Sequence, residues 1–297
     1  MAATRRLREL VESALTRARL PPGPVTVALS GGADSAALAF LSIESAAEVS
    51  AAHVHHGLEA SDMLADAAST ISDRLGVPME TISVEVPPGP SPEAQAREVR
   101  YGRLARIDGQ VLTGHTRDDT VETMLINLVR GTGADGLAGI PYHRAPNVYR
   151  PILEITRSET REIATLADLP FLDDPTNDDL TVTRNHIRRV VLPRLRELNP
   201  RVDEAMARAA AALGGDRALL DHLADRVPSG ALEVSLVATL PRPVADRMLR
   251  QWLVANGVQL AADVIARVWS VLSGETDRQD LEGGRSVVRD RAVVRVE

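Results

Sequence analysis

The sequence predicts an α/β protein with a doubly wound parallel sheet, followed by a small C-terminal α+β domain. In the first half of the chain, short β-rich segments alternate with Ala- and Leu-rich helical segments, which is typical of βαβ units. The last third lacks this alternation. Predicted strands span residues 25–29, 49–54, 79–84 and 111–114, and predicted helices span residues 35–45, 61–75, 92–107 and 117–130.

Polar motifs directly follow three of the four predicted strands. They read "SGGADS" at 30–35, "HVHHGL" at 53–58 and "TGHTRDD" at 113–119. In open parallel sheets, ligands bind beyond the carboxyl ends of the strands. The three motifs are therefore expected to share one site.

The second half of the chain has a different organisation. Residues 131–146 are rich in glycine and proline, and residues 171–185 are polar, so both are predicted to be loops. A helix over 201–227, a strand at 232–237, helices at 244–255 and 262–272, and a hairpin over 285–296 are expected beyond them. We place the domain boundary between residues 204 and 205.

Composition excludes several kinds of chemistry. The 297 residues include no cysteine and no lysine, which rules out thiolate nucleophiles, cysteine-bound metals and a Walker lysine. The net charge of −7 argues against indiscriminate coating of nucleic acid, although a local arginine patch is compatible with it. No signal peptide or membrane-length apolar run is recognisable, so we expect a cytoplasmic protein without membrane contact.

The segment "SGGADS" has the features of an anion-binding corner. Glycines let the backbone approach a phosphate, and the amides at the start of the next helix point towards it. Ser30 and Ser35 add hydroxyl donors. The plainer interpretation is a strand-to-helix turn in which Asp34 or Ser35 caps the helix.

At the level of motifs, "SGGADS" resembles the PP-loop of the N-type ATP pyrophosphatases, which adenylate a substrate and release pyrophosphate. The other motifs are similar, in order, to those of the tRNA(Ile)-lysidine synthetase family, over roughly residues 25–200. They are "AHVHHGL" (52–58), "AREVRY" (96–101), "TGHTRDDTVETMLINLVRGTGADGLAGI" (113–140), "RPIL" (150–153), "DDPTN" (173–177) and "RNHIRRVVLPRL" (184–195).

This resemblance implies a two-step ligation. ATP, with Mg²⁺, would adenylate the wobble cytidine of an isoleucine tRNA with a CAU anticodon, and free L-lysine would then displace AMP. Residues 1–204 would form the ATP-binding catalytic domain and residues 205–297 a tRNA-recognition domain, with a homodimer as a possible assembly. The alternatives are another PP-loop ligase acting on a small molecule, or a non-catalytic nucleotide-binding module.

The resemblance also assigns residues to the reaction. Asp34, His115, Asp119 and Glu122 are the expected catalytic residues, and Asp34 and Asp119 are the candidate Mg²⁺ ligands. The expected ATP-binding loop is Ser30, Gly31, Gly32, Ala33, Asp34 and Ser35.

For Asp119 the residues allow a structural alternative, a capping box with Thr116 at the start of a helix. The family more often has a second histidine where this chain has Thr116, and a basic residue where it has Glu59.

Further basic residues are candidates for phosphate or RNA contacts. Each of these residues could instead have a structural role. The alternatives are a histidine with its hydrogen bonds made inside the protein, a solvated helix face, a helix C-cap or surface salt bridges. Arg184 and Arg188 are four residues apart, so an anion should lie opposite them, and RNA phosphate is the natural candidate. The candidate ATP or phosphate contacts are His53, His55, Arg97, Arg100 and Arg130, and the candidate tRNA contacts are Arg184, Arg188, Arg189 and Arg194.

Overall fold

A computed structural model describes residues 2–45, 47–57, 61–87, 92–173, 178–224, 230–261 and 263–297. The chain divides into two compact units, residues 1–212 and 213–297. The division falls within one long helix, Val202–Ala224. The sequence-based boundary after residue 204 lies within the same helix. The assignment of separate functions to residues 1–204 and 205–297 stays a prediction.

The first unit is built on a six-stranded sheet. Its strand order is β3-β2-β1-β4-β6-β5, and every neighbouring pair is parallel except β5 with β6. The α/β fold with a parallel sheet is therefore confirmed. The strands are β1 (Val25–Ala28), β2 (Val49–His55), β3 (Met79–Ser83), β4 (Gln110–Leu112), β5 (His143–Arg144) and β6 (Val148–Tyr149).

Helices connect and cover these strands. The four predicted helices are all present, and that over 61–75 has the predicted bounds. Residues Ile187–Val191 form a π-helical turn between α8 and α9. The helices are α1 (Ala2–Arg17), α2 (Ala33–Glu44), α3 (Ser61–Leu75), α4 (Pro92–Leu104), α5 (Arg117–Val129), α6 (Ala134–Leu137), α7 (Arg157–Leu166), α8 (Thr183–His186), α9 (Leu192–Leu198) and α10 (Val202–Ala224).

Helices cover both faces of the sheet at its centre, where β1 and β4 carry mainly apolar residues. Successive side chains of a strand point to opposite faces. Leu112 packs in the core that contains Leu38 and Leu41 of α2. Its neighbour Val111 packs in a separate core with Leu104 of α4. The phosphate-loop motif is thus held between a buried strand and a buried helix.

Several sequence predictions were wrong. The predicted loop at 131–146 contains α6 and β5, and the predicted strand at 232–237 is a two-residue strand followed by a helix. β5 and β6 have two residues each, too few to show alternation in the sequence. Within the predicted loop at 171–185, residues 183–185 begin α8, and residues 174–177 lie outside the described part of the chain.

The second unit has its own apolar core, in which Trp252, Leu249 and Val268 are fully buried. Its antiparallel sheet has the order β7-β10-β9-β8, and the predicted hairpin is β9 with β10. Within the described ranges, no helix is both long and apolar enough to span a membrane. The remaining elements are β7 (Leu232–Glu233), α11 (Val234–Ala238), α12 (Arg242–Ala255), α13 (Val264–Ser273), β8 (Arg278–Asp280), β9 (Ser286–Asp290) and β10 (Val293–Val296).

Candidate active site

A cavity of about 890 Å³ lies in the first unit, at the carboxyl ends of β1, β2 and β4. Ser30, His53 and His115, one from each of the three strand-end motifs, all line it. The polar residues therefore meet at the edge of the sheet that the sequence pattern indicated. Arginines from α4, α7 and the segment after residue 183 complete the wall.

The phosphate-loop motif forms a tight turn closed by its two serines. The Ser30 and Ser35 hydroxyls are 3.0 Å apart, and the Ser35 hydroxyl donates to the Gly32 carbonyl at 2.9 Å. Gly32, with extended backbone, is the N-cap of α2. The alternative in which Asp34 or Ser35 caps the helix is therefore wrong, because both residues lie inside the first turn.

Two glycines allow the elements around this loop to approach each other. Gly31 has φ +86°, and a Cβ atom there would lie 2.5 Å from the Leu64 carbonyl oxygen of α3. A Cβ atom on Gly114, just after β4, would lie 3.0 Å from the backbone of Asp34. This close packing against the loop is possible only because the two positions have no side chain.

Arg157 joins the acidic residues of the site. Its Nη1 and Nη2 lie 3.0 Å from Glu122 Oε1 and from Asp119 Oδ1, and its Nε lies 3.6 Å from Asp34 Oδ2. The backbone amide of Arg157 donates to Asp118 Oδ2 at 2.8 Å, which fixes the start of α7 against α5. The Thr160 hydroxyl donates to Asp34 Oδ1.

Glu122 is placed beneath the cavity wall. Its side chain is fully buried and accepts hydrogen bonds from Arg188 Nε at 2.7 Å and Arg188 Nη2 at 3.1 Å, besides that from Arg157. Arg184 Nε lies 3.7 Å away. Arg184 Nη1 also lies 3.7 Å from Asp119 Oδ1, so among the described residues Glu122 and Asp119 are anions opposite Arg184 and Arg188, where the sequence interpretation had placed RNA phosphate.

Asp34 and Asp119, which both line the cavity, have pKa values shifted in opposite directions. Burial raises the pKa of Asp34 to about 6, despite the Thr160 hydrogen bond and nearby Arg157. Burial acts the same way on Asp119, but Arg157 and the Thr116 amide outweigh it and lower its pKa to about 2. The Thr116 amide and hydroxyl both donate to Asp119 Oδ2, at 2.8 and 3.0 Å. The predicted capping box is confirmed, and Asp119 Oδ1 still faces the site.

His115 is held as a neutral imidazole. Burial lowers its pKa to about 3, although Asp119 opposes the shift. Thr113 Oγ1 lies 3.0 Å from Nδ1, and the Tyr101 hydroxyl lies 3.4 Å from Nε2. Arg150 Nη2 donates to that Tyr101 oxygen at 3.1 Å. This chain of contacts orients the ring and leaves it a weak base at neutral pH.

The three histidines of "HVHHG" have different surroundings. His53 Nδ1 lies 2.8 Å from the Leu29 carbonyl, so this nitrogen carries the proton and Nε2 is an acceptor. His55 lies outside the cavity lining and pairs with Asp62 at 2.9 Å. His56, which the sequence interpretation did not select, lines the cavity, and burial lowers its pKa to about 4.

The candidate basic residues divide into two groups. Arg97 and Arg100 line the cavity, with guanidinium carbons 5.0 and 5.6 Å from the centre of the Tyr101 ring. Arg130 is exposed at the C-cap of α5, and Arg194 forms an exposed pair with Glu197, so neither reaches the cavity. Arg184, Arg188 and Arg189 all line it.

The sequence interpretation missed Arg157 and Arg161, which both line the cavity from α7. Arg161 forms two 2.7 Å hydrogen bonds with Asp173 and lies over the Phe171 ring. The available signal was a second capping-box pattern, Thr156 with Glu159, which predicts a helix starting at Arg157. Neither the motif nor its spacing indicates that this helix starts beside Asp34.

The donor set limits how a metal ion could bind. In the parts of the chain that the structure covers, no group of three or more His, Asp or Glu side chains could hold a metal. Asp34 and Asp119 do fit the usual Mg²⁺ arrangement, in which one or two carboxylates assist and substrate phosphates and water supply the other ligands.

Comparison with known proteins agrees with this geometry. A family model described as a PP-loop domain matches residues 2–195, so the fold and the phosphate loop are those of a PP-loop protein. A tRNA(Ile)-lysidine synthase of Salinispora tropica is 40% identical over 263 residues, covering 81% of this chain and 79% of the relative. One from Thermobifida fusca is 38% identical over 283 residues, covering 88% and 87%. The chain belongs to the tRNA(Ile)-lysidine synthase family.

The fold also extends to more distant proteins. The U34-tRNA thiolase NcsA of Methanococcus maripaludis, solved with its 4Fe-4S cluster, matches with a TM-score of 0.57 at 18% identity. The match covers 71% of this chain and 78% of the thiolase. At this identity the likeness concerns the fold alone, and this chain has no cysteine to bind such a cluster.

Proposed function

We propose that this protein ligates free L-lysine to C2 of the wobble cytidine of an isoleucine tRNA with a CAU anticodon. In the first step the C2 oxygen attacks the α-phosphorus of ATP, and pyrophosphate leaves. In the second step the lysine amine attacks C2, the bond between C2 and that oxygen breaks, and the oxygen leaves as part of AMP. Besides family membership, the observation that carries the proposal is the cavity that brings the phosphate loop, Asp119 and an arginine wall together.

The phosphate loop supplies the pyrophosphate site. The amides at the start of α2 and the hydroxyls of Ser30 and Ser35 are the donors, and the helix dipole favours an anion there. Gly31 and Gly114 let α3 and the segment after β4 pack closely against this loop, which fixes its shape. These features fit a triphosphate, and Asp34 would orient its Mg²⁺, which offsets phosphate charge when bound.

The acids and the histidine have separate roles. Asp119, whose low pKa keeps it ionised, would bind the cationic amino acid. Glu122 is buried beneath the cavity wall and acts as a positioning residue that holds Arg157 and Arg188. Neutral His115 would orient the reacting groups. Catalysis would then rest on placement and fixed charges, as in other phosphoryl-group chemistry.

Arg97, Arg100, Arg184 and Arg189 would contact phosphate groups of ATP or tRNA. Burial lowers the pKa of Arg97, and nearby Arg100 and Arg184 lower it further. A cluster of like charges in one wall is stabilised when an anion enters. The C-terminal unit would contribute further tRNA contacts.

The direct test incubates the protein with ATP, Mg²⁺, radiolabelled lysine and an isoleucine tRNA transcript with a CAU anticodon. Label should enter the tRNA and AMP should accumulate. A matched transcript with uridine at the wobble position should stay unlabelled. AMP formation with a small-molecule acceptor in the absence of tRNA would instead favour another PP-loop ligase. ATP binding without any AMP would favour a nucleotide-binding module.

A further inference from the structure

Arg157 occupies the position in the cavity wall where a cationic substrate would meet the acids. Its three guanidinium nitrogens face three different carboxylates, contributed by α2 and α5. The side chain is about one-quarter exposed and lines the cavity. Asp119 Oδ1, the oxygen proposed for lysine, is therefore already engaged by a resident cation at 3.0 Å.

The ion pairs of this network are balanced. Among the described residues, the ion pairs around Arg157 join three carboxylates (Asp34, Asp119 and Glu122) to three guanidinium groups (Arg157, Arg184 and Arg188). A lysine ammonium entering the balanced cluster would add a positive charge with no matching anion. Because the site is largely buried, such an unmatched charge is costly.

Bound triphosphate changes this balance, because it adds negative charge beside Asp34. Arg157 Nε is 3.6 Å from Asp34 Oδ2, so its guanidinium already lies next to the phosphate loop. A guanidinium that turns towards phosphate exchanges one charge-assisted partner for another. Asp119 Oδ1 would then be open to an ammonium group.

The surroundings of Arg157 favour movement of its side chain alone. Its amide is held by Asp118 Oδ2 at 2.8 Å, and its carbonyl accepts from the Thr160 hydroxyl at 2.9 Å. Glu122 keeps Arg188 as a partner when Arg157 leaves, and Asp119 Oδ2 keeps its two Thr116 donors. No buried carboxylate is therefore left without a partner.

We propose that Arg157 is an exchangeable counter-ion that closes the acidic site to lysine until a nucleotide is bound, so that ATP binds before lysine. This inference rests on the proposed function, since it takes lysine as the second substrate. Arg157 acts as a positioning residue through Asp119. Its role sets the order of substrate binding rather than the chemistry itself.

Equilibrium dialysis with radiolabelled lysine tests the order, using the full chain with Mg²⁺ and with or without α,β-methylene-ATP. For the wild type, the nucleotide should lower the lysine Kd by at least about tenfold, since a charge-assisted bond no longer has to be broken. In Arg157→Gln the ratio of the lysine Kd without nucleotide to that with nucleotide should fall below about threefold, because lysine binds without nucleotide. Arg157→Lys, which keeps the charge but cannot span three carboxylates, should give an intermediate ratio.

Arg161→Gln is the matched control, because Arg161 is one turn further along α7, lines the same cavity and pairs with Asp173. It should keep the wild-type ratio. A wild-type lysine Kd that does not change with nucleotide would overturn the inference, even if Arg157→Gln fails to fold. So would a folded Arg157→Gln protein with the full wild-type ratio. Either result, together with normal transfer of labelled lysine to tRNA, would leave the proposed function intact.

Discussion

A Cβ atom on Gly31 would lie 2.5 Å from the carbonyl oxygen of Leu64, so α3 forms the outer wall of the phosphate loop. The neighbouring atom is a backbone carbonyl within α3, so it cannot move aside as the end of a flexible side chain could. Gly31 also has φ +86°, which an L-residue adopts only with strain.

Gly31→Ala is expected to impair both folding and nucleotide binding. The left-handed φ costs about 1–2 kcal/mol and overpacking adds about 1–3 kcal/mol. Urea unfolding and ATP titration measure the two effects. Gly76→Ala is the control, because Gly76 has φ +65° but open space around it. Gly76→Ala should lose only the stability that the left-handed φ costs and should bind ATP normally. Equal losses of stability in the two variants would contradict the packing argument.

Asp34→Asn is expected to abolish AMP formation without destabilising the protein at pH 7.5. The folded-state pKa of Asp34 is about 6, against 3.8 for the unfolded chain. Since the folded state binds the proton more tightly, this group makes stability fall as pH rises from about 4 to about 6. The wild type should therefore lose up to about 3 kcal/mol relative to Asp34→Asn across that window. Urea unfolding at pH 4, 5, 6 and 7.5 measures this difference. If the free energies of unfolding of the two proteins change with pH in parallel, folding does not raise the pKa of Asp34.

Glu122→Gln is expected to be strongly destabilising. The fully buried carboxylate accepts from Arg157 and Arg188, and its neutralisation leaves those guanidinium groups without a matching charge. Breaking such a buried pair costs about 3–5 kcal/mol. Glu197→Gln removes the exposed pair with Arg194 and should be close to neutral. Similar midpoints for both variants in urea would mean that Glu122 is not the centre of the network.

Glu159→Gln is expected to lower stability at neutral pH and to flatten its acid dependence. Burial alone would raise the pKa of Glu159, but Arg17 and Thr156 lower it to about 2, against 4.5 when unfolded. The stabilisation is therefore complete above pH 4.5 and is lost as pH falls towards 2. With solvent screening we expect about 1–2 kcal/mol at pH 7.

Thermal unfolding between pH 3 and 7 measures this difference. Glu162→Gln provides the comparison, because Glu162 pairs with Arg6 in an exposed position on the same helix. The hydrogen bond from Arg6 lowers the pKa of Glu162 as well, but solvent screens this exposed pair, so Glu162→Gln should change the pH profile much less than Glu159→Gln. A Glu159→Gln profile that runs parallel to the wild type below pH 4.5 would contradict the assignment.

The sequence by itself determined the α/β class, four strands and four helices of the first unit, and the edge of the sheet at which the site lies. These follow from local hydrophobic pattern and from the rule that parallel strands end together. The spacing of Thr116 and Asp119, three positions apart, also predicted the capping box, and the resemblance to the family implied that Asp119 lines the site.

Only the tertiary structure decided which charges meet. Arg157 lies 38 positions from Asp119 and 35 from Glu122, and no local pattern relates them. Likewise Arg184 and Arg188 approach Glu122 from a distant segment, and His56 rather than His55 reaches the cavity. Ion pairing and burial depend on how helices from distant segments pack on the sheet, and the sequence pattern of each segment carries no information about the residue opposite it.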